Sequence, residues 1–267
     1  RVDEDDITFT SGGTESNNLA VFGTVRRKKR YGNHLITTTI EHPSILRTFQ
    51  YLEEEGWNVT YLPVDKYGVV RIEALEEALN PETILVSIMH VNNEIGSIQP
   101  VERISKLIKM KSPNAVFHVD AVQSFGRIDV RPLEWEADLV SVSGHKIHAP
   151  KGIGALYIKK GVSIMPLQWG GNQERGIRSG TENLPGIVGF GEAAKWVSEK
   201  IKNDRDYLYR LKQILVSGIL EQVPEAVFNG PKPEDGAPHI LNISIPGIRG
   251  EVLLHVLESN GVFVSTG

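Results

Sequence analysis

Residues 138–158 read DLVSVSGHKIHAPKGIGALYI, and this stretch decides the fold. An apolar run at residues 139–142 leads to a turn at Gly144, and a second apolar run follows Gly152 at residues 154–158. Short apolar runs bounded by glycine and polar residues predict buried strands. We predict two strands here, the second returning antiparallel to the first, with a polar turn between them.

The same alternation continues along most of the chain. Further strands are predicted at residues 7–10, 34–38, 58–63, 83–89 and 116–119. Segments with helical periodicity separate them, at residues 16–31, 44–55, 72–79, 101–109 and 185–203. Strands that alternate with helices favour a mainly parallel sheet flanked by helices. The predicted class is therefore α/β.

The pattern changes after residue 204. A long amphipathic helix is predicted at residues 206–222, followed by a stretch rich in glycine and proline. A strand at residues 240–245, a helix at residues 251–259 and a strand at residues 262–265 come next. We predict a large domain over residues 1–204 and a smaller C-terminal α+β domain over residues 205–267.

Composition limits the function classes. The 267 residues are 40% apolar and 23% charged, which is typical of a globular protein. The net charge of −4 predicts no nucleic-acid partner, and no apolar run approaches the ~20 residues that cross a bilayer. The sequence contains no cysteine, which excludes disulfides and thiolate metal sites in this chain and favours a cytoplasmic protein.

Polar clusters follow several predicted strands, at the edge where open α/β sheets bind ligands. After residues 7–10, the sequence SGGTESN turns into a helix, so that free amides, Gly13 and the Thr14 hydroxyl form a candidate phosphate site. The alternative is a glycine turn in which Thr14 or Ser16 caps the helix.

Asp120 and Lys146 lie at the ends of two further strands. A carboxylate buried there needs a cation, and the pyridinium nitrogen of pyridoxal 5′-phosphate (PLP) supplies one. A lysine can bond the cofactor aldehyde, while Ser143 and His145 remain available to the phosphate. The alternatives are an Asp that caps the next helix and a surface lysine. Residues 147–158 hold few charges and are predicted to be buried, which weakens the second alternative.

His42 and Asn93 follow two more strands. The His42 imidazole is a candidate to lie over the cofactor ring, and Asn93 is a candidate to bond the cofactor's phenolic oxygen or a substrate carboxylate. The alternatives are a structural histidine and an asparagine-rich turn. Each cluster is weak alone, whereas five on one sheet together predict a PLP site.

The sequence resembles the cysteine desulfurases, which belong to the class-V branch of the fold-type-I PLP-dependent transferases. The matching blocks are TSGGTESNN (10–18), IEH (40–42), MHVNNEIG (89–96), FHVDAVQS (117–124), SGHKIHAPKGIGALY (143–157) and RSGTEN (178–183). They span nearly the whole chain.

The resemblance implies a role for each matched residue. Lys146 carries the cofactor and moves protons at the substrate α-carbon, and His42 stacks on the ring. Asp120 holds the pyridinium nitrogen and Gln123 bonds the phenolic oxygen. Asn93 helps to hold the substrate. The phosphate is held by Gly13, Thr14, Ser143 and His145, joined by Thr181 from the partner subunit of a homodimer.

The implied reaction converts L-cysteine to L-alanine. An enzyme cysteine takes the sulfur as a persulfide and passes it to an acceptor such as an iron–sulfur scaffold protein. In the family this cysteine follows a segment like residues 264–267, where the sequence ends. We therefore expect the sequence to be truncated at both ends, with the cysteine, a substrate-binding arginine and an N-terminal pocket segment outside it.

Three alternatives stay open. One is another enzyme of the same class: an aminotransferase, a selenocysteine lyase or a kynureninase-like hydrolase. Another is a metalloenzyme that uses the H-x-x-H spacing of His145 and His148, although the proline and glycine that follow favour a loop and we expect no metal. The last is a catalytically incomplete homologue that serves as a binding partner.

Overall fold

A seven-stranded sheet forms the centre of the computed structural model, which describes residues 2–266. In chain order its strands are β1 (Ile7–Thr10), β2 (His34–Thr38), β3 (Asn58–Leu62), β4 (Thr83–Met89), β5 (Val116–Asp120), β6 (Leu139–Ser143) and β7 (Gly154–Ile158). The spatial order is β1-β7-β6-β5-β4-β2-β3. Strand β7 runs antiparallel to both of its neighbours, and the other pairs are parallel. The return strand predicted from residues 138–158 is confirmed.

Helices cover both faces of the sheet. They are α1 (Gly13–Lys28), α2 (Pro43–Glu54), α3 (Ile72–Ala78), α4 (Val101–Lys111) and α5 (Leu184–Gln222). Successive strand residues point to opposite faces. Leu35 accordingly packs with residues of α1 and α2, while Ile36 packs with residues of α3 and α4. Burial on both faces explains why the strands are continuous apolar runs, and the predicted α/β class is confirmed.

One helix replaces two predicted ones. Helix α5 runs for 39 residues through the polar stretch around residue 204, where the prediction placed a break. Asn203 and Asp204 interrupt the apolar periodicity, but polar residues on an exposed helix face cost well under ~1 kcal/mol each. The helix therefore continues. The division into domains at residues 1–204 and 205–267 stays a prediction.

The segment after α5 holds little regular structure. It contains β8 (Val227–Asn229), β9 (Asn242–Ser244) and α6 (Gly250–Ser259), with β8 and β9 paired antiparallel. Strand β8 was not predicted, and β9 is shorter than the predicted strand at residues 240–245. The predicted strand at residues 262–265 is wrong: its apolar pattern suits a strand, but a strand needs a neighbour to bond, and it finds none within residues 2–266.

Candidate active site

A cavity of about 550 Å³ opens at the carboxyl ends of the parallel strands. Nine of the residues predicted to bind cofactor or substrate line it: Gly13, Thr14, His42, Asn93, Asp120, Gln123, Ser143, His145 and Lys146. They come from five separate strand exits. The tenth, Thr181, lies elsewhere and is described below.

The turn between β1 and α1 forms one wall. Gly12 precedes the helix with a φ of 153°, and no side chain caps the helix end. Thr14 and Ser16 are therefore not N-caps; the Ser16 hydroxyl lies 2.8 Å from that of Thr10 instead. The first amides of a helix have no acceptor within it, so this wall presents donors to an anion. A Cβ on Gly154 would lie 2.7 Å from the Gly12 Cα, so glycine alone permits this close approach of β7.

Ser143 and His145 border the same end of the cavity. The Ser143 Oγ lies 2.8 Å from the His145 Nδ1. Burial lowers the pKa of His145, and the nearby charges of Lys146 and Lys151 lower it further. At neutral pH the imidazole is therefore uncharged, and it offers a hydrogen bond to a bound anion.

Asp120 lies on the opposite side, buried at the end of β5. Its Oδ1 accepts a hydrogen bond from the Val122 amide at 2.9 Å, and its Oδ2 accepts one from the Asn17 Nδ2 at 2.7 Å. Burial raises the pKa of Asp120, and these two hydrogen bonds with the nearby His42 act against that rise. Asp120 closes a tight turn with Val122 and caps no helix. Its environment suits an added cation.

His42 precedes α2 and caps it. The His42 Nδ1 accepts a hydrogen bond from the Ser44 amide at 3.1 Å and lies 2.8 Å from the Ser44 hydroxyl. The Asn17 Nδ2 donates to that hydroxyl at 2.8 Å. Ser44 and Asn17 were not predicted as site residues. Asn17 is 103 residues from Asp120 in the sequence, so no local sequence pattern predicts their contact.

Lys146 lies in a short helical turn, Gly144–Ile147, directly after β6. Its side chain is half-buried and lines the cavity. Its carbonyl accepts a hydrogen bond from Arg127 at 3.2 Å, which ties the turn to the segment after β5. The prediction that residues 147–158 are buried holds for Ile147 and β7 but is wrong for residues 148–152, which are mainly exposed because the proline and glycines turn the chain at the surface.

The loop after β4 contains two adjacent asparagines that make different contacts. Asn92 is buried and makes the turn, because its Oδ1 accepts hydrogen bonds from the amides of Glu94 and Ile95. Asn93 points into the cavity, and its Nδ2 donates to the Glu94 carboxylate at 2.7 Å. The asparagine-rich turn is thus made by Asn92, while Asn93 lines the cavity and its role in holding the substrate stays a prediction.

Glu41 is a buried carboxyl group for which no role was predicted from the sequence. It accepts hydrogen bonds from the Thr38 hydroxyl at 2.7 Å and the Met89 amide at 3.0 Å. Burial, with a smaller contribution from Asp120, raises the pKa of Glu41 to about 8. It is therefore largely protonated at neutral pH, and it joins the ends of β2 and β4, which lead to His42 and Asn93.

Thr181 lies outside the cavity. It is exposed and lines a smaller cavity of about 120 Å³ together with Arg178. Arg178 donates from Nε to the Glu15 carboxylate at 2.7 Å. Burial alone would raise the pKa of Glu15, but hydrogen bonds from Arg178 and Ser11 outweigh it and lower the pKa. The prediction for Thr181 concerns the cavity of a partner subunit and stays a prediction.

A family model described as aminotransferase class-V matches residues 1–267. The chain belongs to the class-V aminotransferase family. Among its class-V relatives, it is 48% identical over 266 residues to a protein from Clostridium botulinum (strain Hall) named "Cysteine desulfurase IscS", and 45% identical over 265 residues to one of the same name from Methanosarcina thermophila. The matches cover 99% of this chain but only 66% and 65% of those relatives.

Two solved structures share the fold of the chain over nearly its whole length. A structure titled "NIFS-LIKE PROTEIN" superposes with a TM-score of 0.96 at 43% identity, covering 100% of this chain and 72% of that one. DndA from Streptomyces lividans superposes with a TM-score of 0.85 at 37% identity, covering 96% of this chain and 72% of that one. The predicted fold-type-I PLP-dependent transferase fold is confirmed.

The class-V family uses PLP, and the cavity fits this cofactor. The buried Asp120 suits a protonated ring nitrogen, the amides at the start of α1 suit a phosphate, and Lys146 supplies an amine for the aldehyde. Within residues 2–266, no three His, Asp or Glu side chains group as metal ligands. Over the same residues, no helix has the length and apolar character of a membrane span.

Proposed function

We propose that the protein is a PLP-dependent cysteine desulfurase, which converts L-cysteine to L-alanine and passes the sulfur to an enzyme cysteine. One observation carries the proposal: a lysine, a buried carboxyl group and an anion-binding helix end line a single cavity in a class-V chain. The names of its relatives support the choice of reaction. The chain spans slightly less than two thirds of those relatives, at 66% and 65%.

Each residue of the cavity has a separate task in this proposal. PLP, when bound, supplies an electron sink for the substrate α-carbon. The Asp120 carboxylate holds the ring nitrogen in its protonated form, and Gln123 bonds the phenolic oxygen. The His42 imidazole packs against the ring face. Gly13, Thr14, Ser143 and His145 hold the phosphate.

Lys146 and Asn93 act on the substrate. Asn93 helps to hold the substrate, and the Lys146 amine takes the proton from the α-carbon and later returns one. A thiolate of the enzyme, on a cysteine that we expect beyond residue 267, then attacks the substrate sulfur. A sulfur–sulfur bond forms, the carbon–sulfur bond breaks with its electrons moving to carbon, and protonation of that carbon gives alanine. The products are alanine and an enzyme persulfide, so no external oxidant is needed.

The deciding experiment uses the full-length protein with L-cysteine. Alanine should appear together with one persulfide per enzyme before any acceptor is added. Alanine without persulfide or sulfide, or turnover of selenocysteine alone, would favour another enzyme of the class. Failure to take up PLP, with no yellow colour and no spectral change on borohydride reduction, would favour a catalytically incomplete homologue.

We also propose a homodimer in which Thr181 completes the phosphate site of the partner. Thr181 is exposed and lines a separate cavity of its own subunit, which is consistent with that role. Mixing Lys146→Ala and Thr181→Ala subunits tests it. If Thr181 acts across the dimer, the hybrid regains one intact site and about half of the wild-type activity per dimer. If it acts within its own subunit, the hybrid stays as impaired as the parents.

The remaining proposals concern partners and location. We propose an iron–sulfur scaffold or a thiolation protein as the sulfur acceptor, and the cytoplasm as the compartment, since the cysteine-free sequence is typical of a reducing environment. Transfer of ³⁵S from labelled cysteine to candidate acceptors, together with cell fractionation, tests both. Label that stays on the enzyme with every acceptor, or a protein found outside the cytoplasm, would contradict them.

A further inference from the structure

A hydrogen-bonded chain connects the two groups that flank the predicted cofactor ring. The Asn17 Nδ2 lies 2.7 Å from the Asp120 Oδ2 and 2.8 Å from the Ser44 Oγ, and Ser44 Oγ lies 2.8 Å from the His42 Nδ1. Asn17 and Ser44 are buried. The chain therefore runs Asp120–Asn17–Ser44–His42, from three buried residues to an exposed imidazole.

The direction of each hydrogen bond follows from the chemistry of the groups. The Asp120 carboxylate is an acceptor, so the amide nitrogen of Asn17 must face it and not the amide oxygen. An amide nitrogen carries two hydrogens, one for Asp120 and one for the Ser44 oxygen. The His42 Nδ1 accepts the Ser44 amide hydrogen and so carries no proton, which makes the Ser44 hydroxyl the donor in the bond between them.

The His42 Nδ1 thereby receives two donors. The Ser44 amide donates to it at 3.1 Å and the Ser44 hydroxyl lies within 2.8 Å. A nitrogen that accepts two hydrogen bonds carries no proton, so the proton of the neutral imidazole is on Nε2. The chain thus selects one tautomer of His42.

The orientation of the Asn17 amide is energetically unfavourable for its oxygen. Its Oδ1 is buried and has no hydrogen-bond partner within residues 2–266. A buried acceptor without a partner is unfavourable, and such groups are rare in folded proteins. The amide nevertheless presents its nitrogen, which bonds both Asp120 and Ser44, and leaves its oxygen without a partner.

We propose that Asn17 and Ser44 are positioning residues of the PLP site: Asn17 orients the Asp120 carboxylate and, through Ser44, holds His42 as the Nε2–H tautomer. Neither touches the reacting atoms in this assignment. The inference rests on the proposed function only where kcat and KM are measured. The tautomer of His42 and the affinity for PLP are measured without turnover.

The first measurement is the nitrogen NMR spectrum of histidine-labelled full-length holoenzyme, with His42→Gln to identify the His42 signals. We expect a protonated Nε2 and an unprotonated, hydrogen-bonded Nδ1. Ser44→Ala should shift the Nδ1 resonance, because one of its two donors is lost, and Ser44→Thr should restore it. An Nδ1 resonance that is identical in the wild type, Ser44→Ala and Ser44→Thr would overturn the inference.

The second measurement separates the two arms of the chain. Asn17→Ala should weaken PLP binding about tenfold, because Asp120 loses a charge-assisted hydrogen bond. Ser44→Ala keeps that bond and should lower kcat about threefold with KM unchanged, an effect that Ser44→Thr reverses. Asn18→Ala is the matched control: Asn18 is only partly buried on the same helix and donates to the Thr14 carbonyl, so both quantities should stay at wild-type values.

The outcomes distinguish this inference from the proposed function. If cysteine is not the substrate but the Nδ1 resonance and the PLP affinity change as described, the proposed function fails and the inference stands. If desulfuration is observed while Asn17→Ala binds PLP as tightly as wild type, the inference fails and the function stands. Should Asn17→Ala not fold, the pair Ser44→Ala and Ser44→Thr still decides the His42 arm.

Discussion

The strand ends around the cavity and the segment at residues 223–266 differ sharply in packing. Around the cavity, polar groups such as Glu41, Asp120 and Ser143 are buried and hydrogen-bonded. In residues 223–266, only residues 236–238 are buried, and Phe263 at the far end is 80% exposed. Polar groups are therefore buried around the cavity, whereas large apolar side chains are exposed in residues 223–266.

The difference shows where side chains are held in place. Parallel strands end side by side, so five loops converge and polar groups of different loops bond one another, as Asn17 does with Asp120 and Ser44. Helix α6 presents Val252 and Val256 to solvent and has no buried residue. We expect substitutions at the strand ends to have large effects and matched substitutions in residues 223–266 to have small ones.

The largest difference is expected between two lysines. Lys146→Ala should lower desulfuration by at least about 10³-fold, because both the covalent attachment of PLP and the proton transfer depend on its amine. Lys232→Ala, at an exposed position of residues 223–266, should keep wild-type activity. Steady-state alanine formation measures both. A Lys146→Ala enzyme with more than a tenth of the wild-type activity would contradict the predicted difference between the two lysines.

Two aspartates form the next pair. Asp120→Asn should lower kcat on the order of 10²-fold, since an amide does not hold the ring nitrogen in its protonated form. It should also stabilise the apoprotein slightly at neutral pH, because it removes the cost of a buried charge. Asp235→Asn, on an exposed aspartate, serves as the control. Equal kcat values in the two variants would contradict the assignment of Asp120.

Glu41 makes the stability of the apoprotein depend on pH. Its pKa in the folded state is about 8 against an ordinary value of 4.5, so the folded state holds the extra proton. The contribution of this proton to the free energy of unfolding is fully present below pH 4.5 and is lost as the pH rises through about 8. The free energy of unfolding falls by a few kcal/mol at most over this range. Glu41→Gln should flatten this decline in chemical denaturation between these pH values. A wild-type protein whose stability rises over this range more than that of the variant would contradict the prediction.

The smallest effects concern two phenylalanines. Phe117→Leu, in the fully buried centre of β5, should lower the free energy of unfolding by about 1–2 kcal/mol. Phe263→Leu should change it by less than ~0.5 kcal/mol. Urea denaturation compares them. A loss at Phe263 as large as that at Phe117 would show that residues 223–266 are packed in the assembled protein.

The order of strands and helices in the large sheet was readable from the sequence. Strands such as β4 are buried on both faces, so that they appear as uninterrupted apolar runs. The break predicted in α5 and the strand predicted at residues 262–265 failed because both depended on local pattern alone. Whether a polar residue ends a helix, or an apolar run becomes a strand, depends on neighbours far away in the sequence.

The sequence by itself determined the α/β class, the family and nine of the residues that line the cavity, because strand-ending motifs are local and each has a recognisable chemistry. Only the tertiary structure revealed Asn17, Ser44 and Glu41. Their roles depend on contacts between separate loops and on burial. Burial raises the pKa of Glu41 and makes the loss of a hydrogen bond costly. Such contacts leave no periodicity or spacing in the sequence, because convergence at the sheet edge creates them.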